Sequence, residues 1–182
     1  MTLYTRRGDT GTTSLADNTR VSKSSMRVEA YGAVDEANCA VGLALTATRD
    51  KLLRRWLAFL QQRLFNCSAS LADPTGAGPA PSAADVTALE TAIDLFETGN
   101  VVWRGFILPG GCDVAARLHV ARATVRRAER CADALAAIEG VDPEVLAFLN
   151  RASDLLFAAA RNANTLNGTP DAIWDDKAPV PE

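Results

Sequence analysis

Apolar residues recur along this chain at alternating three- and four-residue steps, the spacing of one helix face, without a sustained two-residue alternation. From about Met26 to Arg49 that face holds Val34, Ala37, Val41, Leu45 and Thr48, with Asp35 and Asn38 on a neighbouring stripe. The small residues Gly32, Ala33, Ala40 and Gly42 permit a close helix contact or a close-lying ring system. From about Lys51 to Leu71 the face is Leu53, Leu57, Leu60, Leu64, Cys67 and Leu71, a bundle seam. Leu52, Trp56 and Phe65 broaden it, so this second helix is expected to be buried on more than one side. Residues 73–83 are rich in Pro and Gly and read as a loop. Ser82 with Asp85 then resembles a capping pair for a helix to about Glu97, with Val86, Leu89, Ile93 and Phe96 inward. Val101–Trp103 reads as one short extended segment without a strand partner.

A fourth helix follows the turn Pro109-Gly110-Gly111, with Asp113 as its N-cap and Val114, Leu118, Ala121, Val125, Ala132 and Leu135 inward. Gly140 ends it, and Asp142-Pro143-Glu144 supply the N-cap, N1 proline and first-turn acid of a last helix to about Asn164. The inner face of that helix is Val145, Leu149, Ala152, Leu156 and Ala159, and a second face carries Asn150, Asp154, Phe157 and Arg161. The pattern predicts an all-α fold, a five-helix up-and-down bundle over 26–164, preceded by a loop with extended pieces at 1–25 and followed by a surface tail at 165–182. Residues 1–182 read as a single domain.

Composition narrows the function classes. A net charge of −3 argues against a general nucleic-acid binder. No apolar run approaches the ~18 residues of a membrane span, and the polar start MTLYTRRGDTG has no hydrophobic signal core, so a cytoplasmic protein is expected. Cys39, Cys67, Cys112 and Cys131 form no C-x-x-C pair, and with 1 histidine in the chain no protein-ligated metal site is predicted.

The charge is local instead. Between Val114 and Cys131 stand five arginines against one acid, Glu129. His119, Arg122, Arg126 and Arg130 share a narrow stripe about 80° from the apolar one, so these groups flank the core. Two readings stand side by side: salt bridges such as Arg126–Glu129 and Arg122–Asp35, or recognition of an anion, to which the guanidinium fork is suited. His119 alone reads as a hydrogen-bonded helix residue, and Phe106 and Phe157 as core. The first 27 residues set Arg6, Arg7, Arg20, Lys23 and Arg27 against Asp9 and Asp17. Gly8-Asp9-Thr10-Gly11-Thr12-Thr13 is able to wrap an anion, although no G-K-[ST] closes a Walker A loop; a flexible basic arm is the alternative. No Ser-His-Asp set, reactive cysteine motif or close carboxylate pair is present, so any chemistry rests on positioning and charge stabilisation.

Thr5–Leu15 (TRRGDTGTTSL), Arg20–Ala44 with its RVSK and RVEAYGAVDEANCAVGLA, Phe106–Arg130 with FILPGG and AARLHVARATVRRAER, and Leu149–Arg161 (LNRASDLLFAAAR) together resemble the PduO-type ATP:cob(I)alamin adenosyltransferases. The resemblance runs in the family's order over nearly the whole chain; about Lys51–Asn100 matches in helical character only. It implies a cobalamin adenosyltransferase-like bundle in a ferritin-like arrangement, assembled as a homotrimer with ATP and corrin at subunit interfaces. The implied reaction moves the 5′-deoxyadenosyl group of ATP to cob(I)alamin, with Mg²⁺, and releases triphosphate. By position, Thr5, Arg6, Arg7, Gly8, Thr12, Thr13 and Lys23 would hold the triphosphate, and Arg126, Arg130 and Asn150 would complete the nucleotide site. Arg122 and Asp35 would form the ion pair joining subunits. Phe106 would displace the corrin's lower ligand, favouring a four-coordinate cobalt(II) that is easier to reduce. A flavin reductase and a B12-dependent mutase are the implied partners. Arg7 departs from the small hydroxyl residue usual there, and the tail lacks the aromatic end of some members, with Trp174 a candidate cap for the corrin site. Two other readings compete: a non-catalytic corrinoid carrier of the same fold, and a structural helical oligomer.

Overall fold

The computed structural model describes residues 4–98, 100, 105–178 and 180; the extended segment expected at Val101–Trp103 lies outside them. The five predicted helices are present as α1 (Met26–Ala47), α2 (Lys51–Ala72), α3 (Ala83–Glu97), α4 (Asp113–Ala136) and α5 (Pro143–Leu166). Ahead of them the amino-terminal segment forms two short antiparallel strands, β1 (Thr12–Ser14) and β2 (Arg20–Ser22), with Thr13 opposite Val21. These are the extended pieces expected in the loop; their positions and pairing escape a reading by periodicity because three residues per strand are too few to show an alternation.

Local chemistry sets the helix starts. Ser25, Asp50 and Asp142 each accept a backbone N–H from the first turn, and Ser82 with Asp85 closes a full capping box. At α4 the expected cap is displaced by one residue. Cys112 is the N-cap and makes no side-chain bond; its backbone N–H instead donates to Asn164 Oδ1 at 2.9 Å, while Asp113 pairs with Arg117 in the first turn.

Successive helices reverse direction. Arg27 at the start of α1 meets Glu139 just beyond α4 at 2.6 Å, and Asn150 on α5 reaches back to Glu129 on α4 at 2.7 Å, so both pairs are antiparallel. Glu90 on α3 faces Arg151 on α5, and Asn100 after α3 faces Thr165, so those two helices run parallel. The largest helix contacts are α1 with α4, α4 with α5, α1 with α2, and α3 with α5.

The α2 seam buries Leu53, Leu57, Leu60, Leu64, Cys67 and Leu71 as expected, but Leu52 and Phe65 are exposed. This helix is therefore buried on one side only. The helix enclosed on several sides is α5, where Phe148, Leu155, Ala158, Ala160 and Ala163 are buried along with the expected inner face. Its alanines let α4, α3 and α2 all approach the same helix. On α1, a Cβ at Gly42 would lie 2.9 Å from Gln61 Nε2, so this small residue serves contact with α2.

Candidate active site

α4 packs against α1 on one side and α5 on the other, leaving its arginine stripe along the rim of the α4–α5 contact. Arg122, Arg126, Phe157 and Asp154 border a groove of about 550 Å³ whose far wall is α3, with Glu90, Ile93, Asp94 and Glu97. Neither salt bridge expected for the stripe forms within the chain. Glu129 accepts from Asn150 instead of Arg126, and Asp35 is exposed without an ion pair among the described residues. The charged pairs on α4 use other arginines: Arg127 bridges Glu29 and Glu36 on α1, and Arg117 bridges Asp113.

Arg122 is half-buried, its Nε has no hydrogen-bond partner, and its guanidinium lies 5.9 Å from the centre of the Phe157 ring. Burial first, then the like charge of Arg126, lowers its pKa from the ordinary guanidinium value. Arg126 and Arg130 are exposed, and Arg130 Nη1 donates to the Arg126 carbonyl at 2.9 Å, which holds its head beside the preceding turn. His119 is buried under the same ring, 6.1 Å between centres, and neither of its nitrogens finds a hydrogen-bond partner, contrary to the satisfied histidine expected. Burial, then Arg122, lowers its pKa, so the ring is neutral near pH 7.

The amino-terminal residues form a second, separate cluster. β1 and β2 bring Lys23 back beside Gly8, where an added Cβ would lie 3.2 Å from Lys23 Nζ, and the Lys23 N–H donates to the Gly11 carbonyl at 2.9 Å. Arg20 donates to the Arg7 carbonyl at 2.8 Å and to the Thr12 hydroxyl, tying the loop to the hairpin. Arg6 has φ 60° and lies over Tyr4, and Thr5, Arg6 and Arg7 are exposed. Lys23, Gly8, Thr12 and Thr13 thus form one unit, anchored by buried Leu15 and an Ala16-to-Ala72 backbone bond at the end of α2. No hydrogen bond or ion pair among the described residues joins this unit to Arg122, Arg126, Arg130 or Asn150 of the same chain.

Phe106 is 73% exposed, not core. Its ring meets Trp174 edge-on at 6.2 Å, and with Ile107 and Leu108 the two border an apolar hollow of about 370 Å³. The carboxyl-terminal tail is held there by an Ile107–Ile173 bridge and by two backbone bonds, Leu108 to Ala172 and Trp174 to Phe106. The residues that anchor it, Arg161, Asn164 and Asp171, were not singled out as site residues from sequence. Only the pairing of buried polar residues at the end of an apolar helix signals them, and that needs the fold to be seen.

The four cysteines are free, and burial pushes the Cys67 thiol up, so it is inert. Among the described residues no helix is long and apolar enough to cross a membrane.

A five-helix bundle with an arginine rim and a Gly/Thr hairpin is an arrangement with known counterparts. The sequence profile described as Cobalamin adenosyltransferase matches residues 3–163, and this chain belongs to that family. It is 45% identical over 166 residues to the corrinoid adenosyltransferase PduO of Salmonella typhimurium, covering 88% of this chain and 49% of that protein. The chain thus spans about half the length of that relative. It is 40% identical to the corrinoid adenosyltransferase of Bacillus subtilis, covering 99% of this chain and 95% of the relative. A solved structure of a phenylalanine-to-alanine variant of the PduO-type ATP:corrinoid adenosyltransferase from Lactobacillus reuteri, complexed with cobalamin and ATP, superposes with a TM-score of 0.92 at 37% identity, covering 96% of this chain and 100% of that one. An arginine-to-lysine variant of the Lactobacillus reuteri enzyme, complexed with ATP, gives 0.90 at 38% identity, covering 95% of this chain and 100% of that one.

Proposed function

We propose that the chain transfers the 5′-deoxyadenosyl group of ATP to the cobalt of cob(I)alamin and releases triphosphate, at sites shared between neighbouring copies of a homotrimer. The observation that carries this reading is the division of cationic groups within one protomer. Among the described residues Arg122, Arg126 and Arg130 have no carboxylate partner, while Lys23 and the Gly8–Thr13 loop are held elsewhere by the hairpin. A neighbouring copy that brings its hairpin to the α4 rim assembles both halves around one polyphosphate.

The reduced cobalt is itself the nucleophile, so the chain supplies no attacking group. It aligns C5′ of ATP with the metal and stabilises charge on the departing triphosphate. Arg126 and Arg130, with Asn150, hold the nucleotide from the α4–α5 rim; Thr5, Arg6, Arg7, Gly8, Thr12, Thr13 and Lys23 hold the phosphates from the hairpin side. Arg122 takes the partner subunit's Asp35 as its missing counter-charge. Phe106 stands at the corrin's lower face and crowds out its lower ligand.

Among the described residues no group of three or more His, Cys, Asp or Glu is placed to hold a metal. Mg²⁺ would come with ATP, held through the hairpin and α4-rim groups that bind its phosphates. When bound, it spreads the charge of the leaving triphosphate. A flavin reductase to furnish the reduced corrinoid and a B12-dependent mutase to receive the product are the partners this chemistry calls for.

The test is turnover: protein, ATP, Mg²⁺ and chemically reduced cobalamin under anaerobic conditions. Formation of the Co–C bonded product with stoichiometric triphosphate is expected. Binding of both substrates without product would replace this reading with that of a corrinoid carrier.

A further inference from the structure

Phe106, an exposed aromatic, lies in a segment with little packing of its own, yet its backbone is held at several points. Leu108 N–H donates to the Ala172 carbonyl at 2.7 Å, and Trp174 N–H donates to the Phe106 carbonyl at 2.8 Å. Both partners belong to the tail that follows α5. The tail in turn is fixed at Asp171, whose Oδ2 accepts from Arg161 Nε at 2.9 Å and whose Oδ1 accepts from Asn164 Nδ2 at 3.0 Å.

Asn164 is 2% exposed and joins the same carboxylate to the loop before α4. Its Nδ2 also donates to the Gly110 carbonyl at 3.1 Å, and its Oδ1 accepts from the Cys112 N–H at 2.9 Å. The fit is close: Gly111 has φ 104°, and a Cβ there would lie 2.1 Å from Asn164 Oδ1. Arg161 is 8% exposed, so its ion pair with Asp171 lies largely out of water. The segment carrying Phe106 is thus pinned at its far end through Asn164 and along its length through the tail, and both pins meet at Asp171.

We propose that Asp171 is a positioning residue for adenosyl transfer: through Arg161 and Asn164 it docks the tail, so that Trp174 holds the Phe106 ring at the corrin face. This rests on the assignment of Phe106 to the corrin site. Trp174 then forms one wall of the apolar hollow, and the tail is part of the active site although it carries no reacting group.

Asp171→Asn keeps the shape and removes the charge, and Trp174→Ala removes the ring while leaving the ion pair. Amide hydrogen exchange reads the clamp without reference to activity. In Asp171→Asn the Leu108 and Trp174 amides should exchange about tenfold faster, with the α4 and α5 amides unchanged. In both variants KM for cob(I)alamin should rise or kcat fall by about tenfold, with KM for ATP unchanged. The electron paramagnetic resonance signal of four-coordinate cob(II)alamin, formed with ATP present, should weaken in both variants, and Asp171→Glu should restore part of it. Unchanged exchange at Leu108 and Trp174 overturns the proposal, whatever the kinetics. Faster exchange with corrin kinetics and signal unaltered, or with ATP and corrin affected equally, overturns the positioning role. A wild-type chain without turnover contradicts the functional assignment instead, and the exchange arm still decides whether Asp171 clamps the tail.

Discussion

The guanidinium of Arg122 lies over the ring of Phe157, 5.9 Å from its centre, with its Nε buried and unpartnered. A cation held this way by an aromatic face is partly desolvated, which makes it costly to leave without an anion. Asp35, exposed on α1, is the anion we propose for it, contributed by a neighbouring copy.

Arg122→Asp and Asp35→Arg should therefore each weaken assembly and activity, and the double exchange should recover both. A double-mutant cycle on trimer dissociation should give a coupling of about 0.5–3 kcal/mol. Additive effects would place Asp35 away from Arg122 in the assembly.

Gly8→Ala should act on ATP and not on the fold. The added methyl meets the end of a flexible lysine, 3.2 Å from Lys23 Nζ, so the backbone is not strained. Displacing that ammonium by a few tenths of an ångström should raise KM for ATP by about three- to tenfold, with KM for cob(I)alamin and thermal stability unchanged. Steady-state kinetics with each substrate varied in turn checks this.

His119 makes stability depend on pH in a window with no other side chain of its type. Burial, then Arg122, lowers its folded pKa, so the folded chain takes up the proton only at lower pH than the unfolded chain. Stability is full above the unfolded value of about 6.5 and is lost as pH falls through that value toward the folded one. With 1 histidine in the sequence, urea unfolding as pH falls below about 6.5 should show a slope that His119→Gln removes. A slope that survives the substitution would assign it to another group.

Asp85→Ala should cost about 1–2 kcal/mol by removing the α3 capping box. It also removes the Arg63 pair at 2.7 Å. Burial alone would raise the Asp85 pKa, but hydrogen bonds from Arg63 and Ser82 outweigh it and hold the carboxyl below its usual value. Its contribution is therefore present above about pH 4 and lost as pH falls through the folded value. Urea midpoints at neutral and acid pH read both effects.

The helices were legible because their signals are local. Leu53 to Leu71 repeats at helical steps, and Ser82 and Asp85 lie within one turn, so neither needs knowledge of the rest of the chain. What failed was what depends on partners in space. Of the three residues expected to widen the α2 core, Trp56 packs against it while Leu52 and Phe65 are exposed, because which apolar face is covered is decided chiefly by where α1 packs. The α4 cap was misplaced to Asp113 because the group that serves the Cys112 N–H comes from Asn164, more than a helix away in sequence. Arg126–Glu129 looked plausible at helical spacing, but Asn150 on α5 occupies Glu129. For the site, the arginine stripe was visible as an amphipathic oddity, and the assignment of roles along it came from resemblance. The Asp171 clamp was hidden because nothing in the tail sequence says that it returns to Phe106.

The most direct test of a site shared between copies is complementation. Lys23→Ala and Arg126→Ala should each be folded and inactive. Mixed assemblies formed after dissociation and reassociation should regain adenosyl transfer. In them some interfaces join an intact Lys23 from one chain to an intact Arg126 from the other. Regained activity is the predicted result; mixed assemblies as inactive as either parent would contradict the shared site.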